Sequence, residues 1–170
     1  MDYARIILKP KKEESLLRFH PWVFSGAIQN IIGSPKEGDL VEVYTCNKEY
    51  CAIGHYQIGS IAVRILSFEK QPLVYEFWRD KIAKAYQMRV ALGIADNSHT
   101  NTFRLVHGEG DSLPGLIVDV YGETAVLQAH SVGMHYIRQD LATAIVEVMN
   151  GKVKNVFYKS EATLPFKANV

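Results

Sequence analysis

The chain has 170 residues, 48% hydrophobic and 22% charged, which is enough apolar material for one domain or two small ones and argues against disorder. A formal net charge of +1 excludes a uniformly basic nucleic-acid-binding chain but leaves room for a local basic patch. No secretory segment opens the chain and no apolar run reaches the ~18 residues of a membrane helix, so a cytoplasmic protein with no membrane partner is expected.

The first part of the chain is rich in short β-prone runs. Arg5–Leu8 and Trp22–Ile28 are followed by Leu40–Thr45, Tyr50–Tyr56 and Ile61–Ser67, separated by Gly, Pro, Asn and Lys. A short helix is predicted at Glu13–Phe19, where two glutamates sit in the first turn, as the helix dipole favours. Many short strands with little helix predict a small barrel or sandwich over residues 1–70.

The pattern changes at the polar junction Glu69-Lys70-Gln71-Pro72. From Leu73 to Leu92, the apolar residues Val74, Trp78, Ile82, Ala85, Met88 and Leu92 recur at helical spacing, opposite Glu76, Asp80, Lys84 and Gln87. This predicts an amphipathic helix of about five turns, with Pro72 well placed ahead of its first turn. After the polar loop Gly93–Asn101, strands are expected at Phe103–His107 and Leu116–Tyr121, and a tight Gly122-Glu123 turn leads into Ala125–His130. Ser131 is placed to cap a second helix that buries Met134, Ile137, Leu141, Ile145 and Val148 and stops at Asn150-Gly151. Val153–Tyr158 is the last expected strand. Residues 72–160 therefore read as a central α+β domain with two helices on an antiparallel sheet, and 161–170 as a linker.

The loop between Phe103 and Gly122 concentrates polar chemistry. Gly108-x-Gly110 does not read as a nucleotide-type loop, because Pro114-Gly115 and a β-branched run follow where a helix would have to start. Glu109 and Asp111 could form an acid/base pair, but carboxylates beside glycines more often shape turns, and Asp111 is expected to bond backbone N–H groups. His107 stands at alternate positions from them, yet no second histidine, HExxH or Cys/His cluster accompanies it, so no metal is expected. Two cysteines suit a reduced intracellular protein. Cys46 and Cys51 flank the turn Asn47-Lys48-Glu49 and read as strand packing rather than nucleophiles.

The amino-terminal part carries a binding signal. Lys9, Lys11 and Lys12 precede the short helix, Arg18 lies near its end, and His20-Pro21-Trp22-Val23-Phe24-Ser25-Gly26 follows. Cations beside aromatics and a glycine suit phosphate contact plus base stacking. The alternative is a solvated lysine face, with Trp22 and Phe24 as core residues two apart on one strand face, and these residues alone favour that alternative. Arg64 is a further cation that reads as structural.

Two stretches together carry a resemblance. His20-Pro21-Trp22-Val23-Phe24-Ser25-Gly26-Ala27-Ile28 stands ahead of Phe103-Arg104-Leu105-Val106…Gly108-Glu109-Gly110-Asp111-Ser112-Leu113-Pro114-Gly115-Leu116-Ile117-Val118-Asp119-x-Tyr121-Gly122. In this order they resemble the bacterial and archaeal S-adenosylmethionine-dependent RNA cytosine-C5 methyltransferases that modify 23S ribosomal RNA. That family has a PUA domain, a central α+β domain and a Rossmann methyltransferase domain. The resemblance implies a small PUA-type β pseudo-barrel over residues 1–70 that binds ribosomal RNA through Lys9, Lys11, Lys12, Arg18, His20, Trp22, Ser25 and Gly26. It places Arg104, Glu109, Asp111 and Pro114 on a loop at a domain interface or substrate cleft.

The family's chemistry uses a cysteine thiolate that adds to cytosine C6, after which C5 takes the methyl group and a base removes the C5 proton. The family's cofactor glycines, ribose-binding acid and proline-flanked cysteine have no counterpart in these residues, and Lys159 alone stands between Tyr158 and Ser160, where the family has an acid and an arginine. The expectation is an RNA-binding and positioning portion that has no catalytic residue and holds no cofactor by itself, with S-adenosylmethionine belonging to the full-length protein. Ribosomal RNA is the expected partner, and a homodimer is a further assembly to consider. The other readings are a free-standing PUA-type adaptor for RNA or protein, and a small hydrolase built on Glu109 and Asp111.

Overall fold

The computed structural model describes residues 3–165, so the end of the expected linker, from Phe166 onward, lies outside the described residues. The chain divides into two compact units between Gln71 and Pro72. The fold class is α+β, as expected.

In the first unit, β1 (Ala4–Leu8), α1 (Glu14–Leu17), β2 (Trp22–Phe24), β3 (Ile28–Ile32), β4 (Leu40–Tyr44), β5 (Tyr50–Tyr56) and β6 (Ile61–Ser67) follow in order. Among the described residues the strands form one sheet in the order β2-β6-β5-β4-β1-β3. Its neighbours are antiparallel except β1 and β4, which run parallel.

The continuous run expected at Trp22–Ile28 is instead a strand, a one-turn 3-10 helix (Ser25–Ala27) and the start of another strand. Topology is the reason. β2 and β3 occupy opposite edges of the sheet, and three residues can join them only if the sheet curls until its edges approach. Backbone bonds pin the turn to both sides: Ser25 N–H donates to the Ser60 carbonyl at 2.9 Å, and Lys9 N–H donates to the Ala27 carbonyl at 2.9 Å. Ile6, Leu8, Leu16, Val23, Val41, Val43, Val63 and Ile65 fill the inside of the curl.

His55 on β5 is 3% exposed, and burial pushes its imidazole down to about 4 from the ordinary 6.5. A depressed histidine stabilises the fold above the unfolded value, and that contribution fades as pH falls through the window from about 6.5 to about 4. Urea unfolding of the first unit should therefore lose about 2 kcal/mol between roughly pH 7 and pH 5 from this group. His55→Leu should flatten that slope by about one proton, and an unchanged slope would show that His55 titrates normally.

The second unit contains α2 (Tyr75–Ala91), β7 (Thr102–His107), β8 (Leu116–Tyr121), β9 (Thr124–Ala129), α3 (Val132–Tyr136), α4 (Arg138–Met149) and β10 (Asn155–Tyr158). Its strand order is β10-β9-β8-β7. β7, β8 and β9 form the expected antiparallel meander, joined at Tyr121↔Thr124 by the Gly122-Glu123 turn, where Gly122 takes φ +59°. β10 does not continue that pattern and joins β9 in parallel. The helices between β9 and β10 carry the chain back along the sheet, and a strand returning by such a crossover runs parallel.

α2 and α4 pack together over the sheet face formed by Leu116, Val118, Val120, Ala125, Leu127 and Ala129. The buried face of α2 is narrower than expected: Trp78, Ile82 and Ala85 are buried, while Val74, Met88 and Leu92 are exposed. Val74 and Leu92 are the helix caps, outside its regular turns, and the next position on the buried stripe after Ala85 is Arg89.

The single helix expected after Ser131 is two helices. Ser131 caps α3, its hydroxyl accepting from Met134 N–H at 3.4 Å. The helix breaks at Ile137 (φ −95°, ψ 12°), where the Arg138 guanidinium donates to the His135 carbonyl at 2.9 Å and satisfies an acceptor the broken helix leaves open. Ile137 and Val148 are half-buried rather than core residues.

Candidate nucleic-acid interface

Strand geometry decides which aromatic residues of β2 face water. Side chains alternate along a strand, and Val23, 3% exposed, takes the inward position. Trp22 and Phe24 therefore share the outer face, half-buried and 48% exposed respectively, instead of lying in the core. The two rings pack edge to face at 6.2 Å, and His20 meets Trp22 edge to face at 5.7 Å. His20 Nδ1 accepts from Trp22 N–H at 3.2 Å, and the Arg64 guanidinium lies 5.9 Å from the Trp22 ring centre. Arg64 is fixed in turn by a 2.9 Å bond from its Nε to the Gln57 side chain. The aromatic wall is thus braced on several sides.

This wall borders a groove of about 580 Å³ lined by Lys11, Lys12, Glu14, Ser15, Arg18, Trp22, Val23, Phe24, Gly26 and Ala27. It runs between the α1 segment and the turn after β2. Three cations face one carboxylate there, so the groove is locally positive in a nearly neutral chain. Lys11 adopts a left-handed φ of +66°, which marks a sharp bend of the chain ahead of α1. A Cβ on Gly26 would meet nothing within 4 Å, so internal packing does not account for the glycine. Lys9 lies outside the lining but donates its Nζ to the Gly26 carbonyl at 2.9 Å. Ser25 is exposed beside the groove and is tied through its N–H to Ser60. Glu14 and Ser15 are lining residues that the sequence reading missed. Their place one helical turn ahead of Arg18 was the available signal.

The Gly108–Gly115 loop is organised differently. Gly108–Asp111 is a one-turn 3-10 helix ended by Ser112 in a left-handed conformation (φ 56°), and Leu113 and Pro114 are buried. Asp111 bonds a backbone N–H as expected, accepting from His107 N at 2.6 Å. Its main partner is Arg89, whose two terminal nitrogens grip both carboxylate oxygens, one at 2.7 Å. Arg89 Nε also donates to the Arg104 carbonyl at 3.0 Å, so one guanidinium links α2, β7 and the loop. Both side chains are nearly buried, at 12% and 9% exposure.

Arg104 is turned outward and forms a two-pronged pair with its cross-strand neighbour Asp119, at 2.8 and 3.1 Å. Glu109 is half-buried. Asp111 is thus committed to internal contacts. The segment does not fit a methyl-donor or dinucleotide cradle, because its glycines lead into β8 and not into a helix N-terminus. Cys51 packs against the first core and burial pushes its thiol up, the direction opposite to nucleophile activation. Among the described residues, no group of three His, Cys, Asp or Glu side chains is placed to hold a metal, and no helix is long and apolar enough to cross a membrane.

Comparison with known proteins adds to this geometry. Residues 6–68 match the model of a PUA-like domain. The chain is 39% identical over 145 residues to ribosomal RNA large subunit methyltransferase I of Shewanella amazonensis, covering 84% of this chain and 36% of that protein. It is 34% identical over 146 residues to the protein of the same name from Salmonella arizonae, covering 85% and 36%. The chain thus spans about a third of the length of the curated relatives it matches. Its fold also matches a Streptococcus mutans protein assigned as a SAM-dependent methyltransferase, with a TM-score of 0.79 at 17% identity, over 92% of this chain and 40% of that one. A second structure of similar fit is a methyltransferase assignment in complex with SAH. The chain therefore carries a PUA-like domain and is homologous, over about a third of their length, to the large-subunit ribosomal RNA methyltransferases.

Proposed function

We propose that this chain is the RNA-binding and positioning portion of an S-adenosylmethionine-dependent methyltransferase that acts in the cytoplasm on cytosine C5 of 23S ribosomal RNA. The observation that carries the reading is the groove beside β2, where Lys11, Lys12 and Arg18 face an exposed aromatic wall within the PUA-like unit. Lysine and arginine there neutralise phosphates and release counterions, while the aromatics offer a surface to bases. The homology to large-subunit ribosomal RNA methyltransferases supports ribosomal RNA as the ligand. Holding RNA and presenting it to the methylating centre is the role these residues suit. The methyl donor is assigned to the whole protein, and no step is routed through the Gly108–Gly115 loop. Arg104 and Glu109 belong to this reading as a surface near the cleft, with Asp111 and the buried Pro114 holding the loop in shape.

Anisotropy titration against 23S ribosomal RNA fragments at two salt concentrations tests the reading. Lys11→Glu and Arg18→Glu should each weaken binding about tenfold and lower the slope of log K against log salt by about one for each phosphate left unneutralised. Salt-insensitive binding, or reversal variants that bind like the parent, would sink it.

A further inference from the structure

Phe24 leaves nearly half of a large apolar ring in water beside three cations, where a solvated ring serves no internal packing. Val23 holds the inward position, and Phe24, the last residue of β2, lies on the outer face. The rings of Trp22 and His20 brace it at 6.2 and 6.1 Å. Gly26 keeps the neighbouring groove floor free of any side chain, which permits close approach of a ligand backbone. Duplex RNA presents phosphates and 2′-hydroxyls but keeps its base faces stacked inside, so it could use the cations and leave the aromatic wall idle. An unpaired nucleotide uses both.

We propose that the groove selects unpaired RNA, with a nucleobase stacked on the Phe24–Trp22 wall and the adjoining backbone passing over Gly26 between Lys11 and Arg18. This rests on the RNA-binding reading above and adds the structural state of the RNA that the site accepts.

The test uses the intact chain with a single-stranded and a duplex RNA of equal phosphate number. Trp22 borders the groove while Trp78 is 2% exposed in the other unit, so a stacked base should quench Trp22 selectively. The single strand should bind about tenfold more tightly than the duplex and quench the emission. Phe24→Ala should weaken single-strand binding about tenfold, while Phe24→Tyr retains it, as expected for a stacked base. Phe24→Ala should weaken duplex binding far less than single-strand binding, and should lower the urea midpoint only slightly, through the lost ring contacts with Trp22 and His20. Equal affinity for both RNAs, or a Phe24→Ala variant that binds the single strand like the parent, would overturn the proposal. If Lys11→Glu still weakened binding in that case, the RNA-binding reading would stand alone. A parent chain that binds neither RNA would remove both.

Discussion

Arg89→Ala is expected to destabilise the second unit by about 3–5 kcal/mol, the range for breaking a buried ion pair from one side. The cause is less the lost attraction than the stranded partner. Asp111, 9% exposed, would retain only the His107 N–H among its bonds from this network. The Arg104 carbonyl would lose a donor as well. Arg89→Lys should recover less than half of the loss, because an ammonium cannot grip two carboxylate oxygens while also reaching the β7 backbone. Replacing both partners by apolar residues, Arg89→Met with Asp111→Leu, should be milder than either truncation to alanine. Urea midpoints for the single and double variants measure this coupling. A loss below about 1 kcal/mol for Arg89→Ala would mean that the pair behaves like a surface contact.

Gly54→Ala should cost the first unit about 3 kcal/mol, at the upper end of the usual overpacking range. An added Cβ would sit 2.2 Å from the Arg64 carbonyl oxygen and 3.0 Å from the Ile65 Cα. Those atoms are backbone of β6, so no rotamer change can relieve the overlap. The ladder between β5 and β6 shifts register between Ile53 and Gly54, where the two strands cross closely as the sheet curls. Gly26→Ala is the matched control, because its Cβ meets open space, and it should shift the urea midpoint by only a few tenths of a kcal/mol. If both variants unfolded at the same midpoint, the crossing would have slack and the account of the curl would fail. The groove depends on that curl, so under the proposed RNA-binding role Gly54→Ala should weaken RNA binding in step with unfolding.

Local composition made much of the fold legible. Tyr50–Tyr56, Ile61–Ser67 and Leu116–Tyr121 are strands with the bounds their β-branched and aromatic content predicts. The Ser131 cap and the Asn150 stop are in place, the latter with a left-handed φ of 45°. The failures share one cause, a contact distant in sequence. Trp22–Ile28 breaks because its ends must reach two edges of one sheet, and Ile137 marks a break that Arg138 then caps. Arg89 escaped notice because a charged residue on a helix is read as solvated. Its spacing from Ile82 and Ala85 placed it on the buried stripe, which was the available signal.

By itself the sequence determined most of the strands and helices, the α+β class, and the backbone-bending glycines and proline that make the Gly108–Gly115 loop distinctive. It also determined that Trp22 and Phe24 share a strand face, since alternation is a local property of extended chain. Only the tertiary structure decided that this face is the outer one. That choice depends on Val23 meeting Leu16, Val41 and the rest of the first core, a contact set no local period encodes. The same holds for Asp111, whose carboxylate is an ordinary loop residue until Arg89, 22 positions away, closes on it. Periodicity specifies which side chains travel together, and long-range packing specifies which of them meet water or one another.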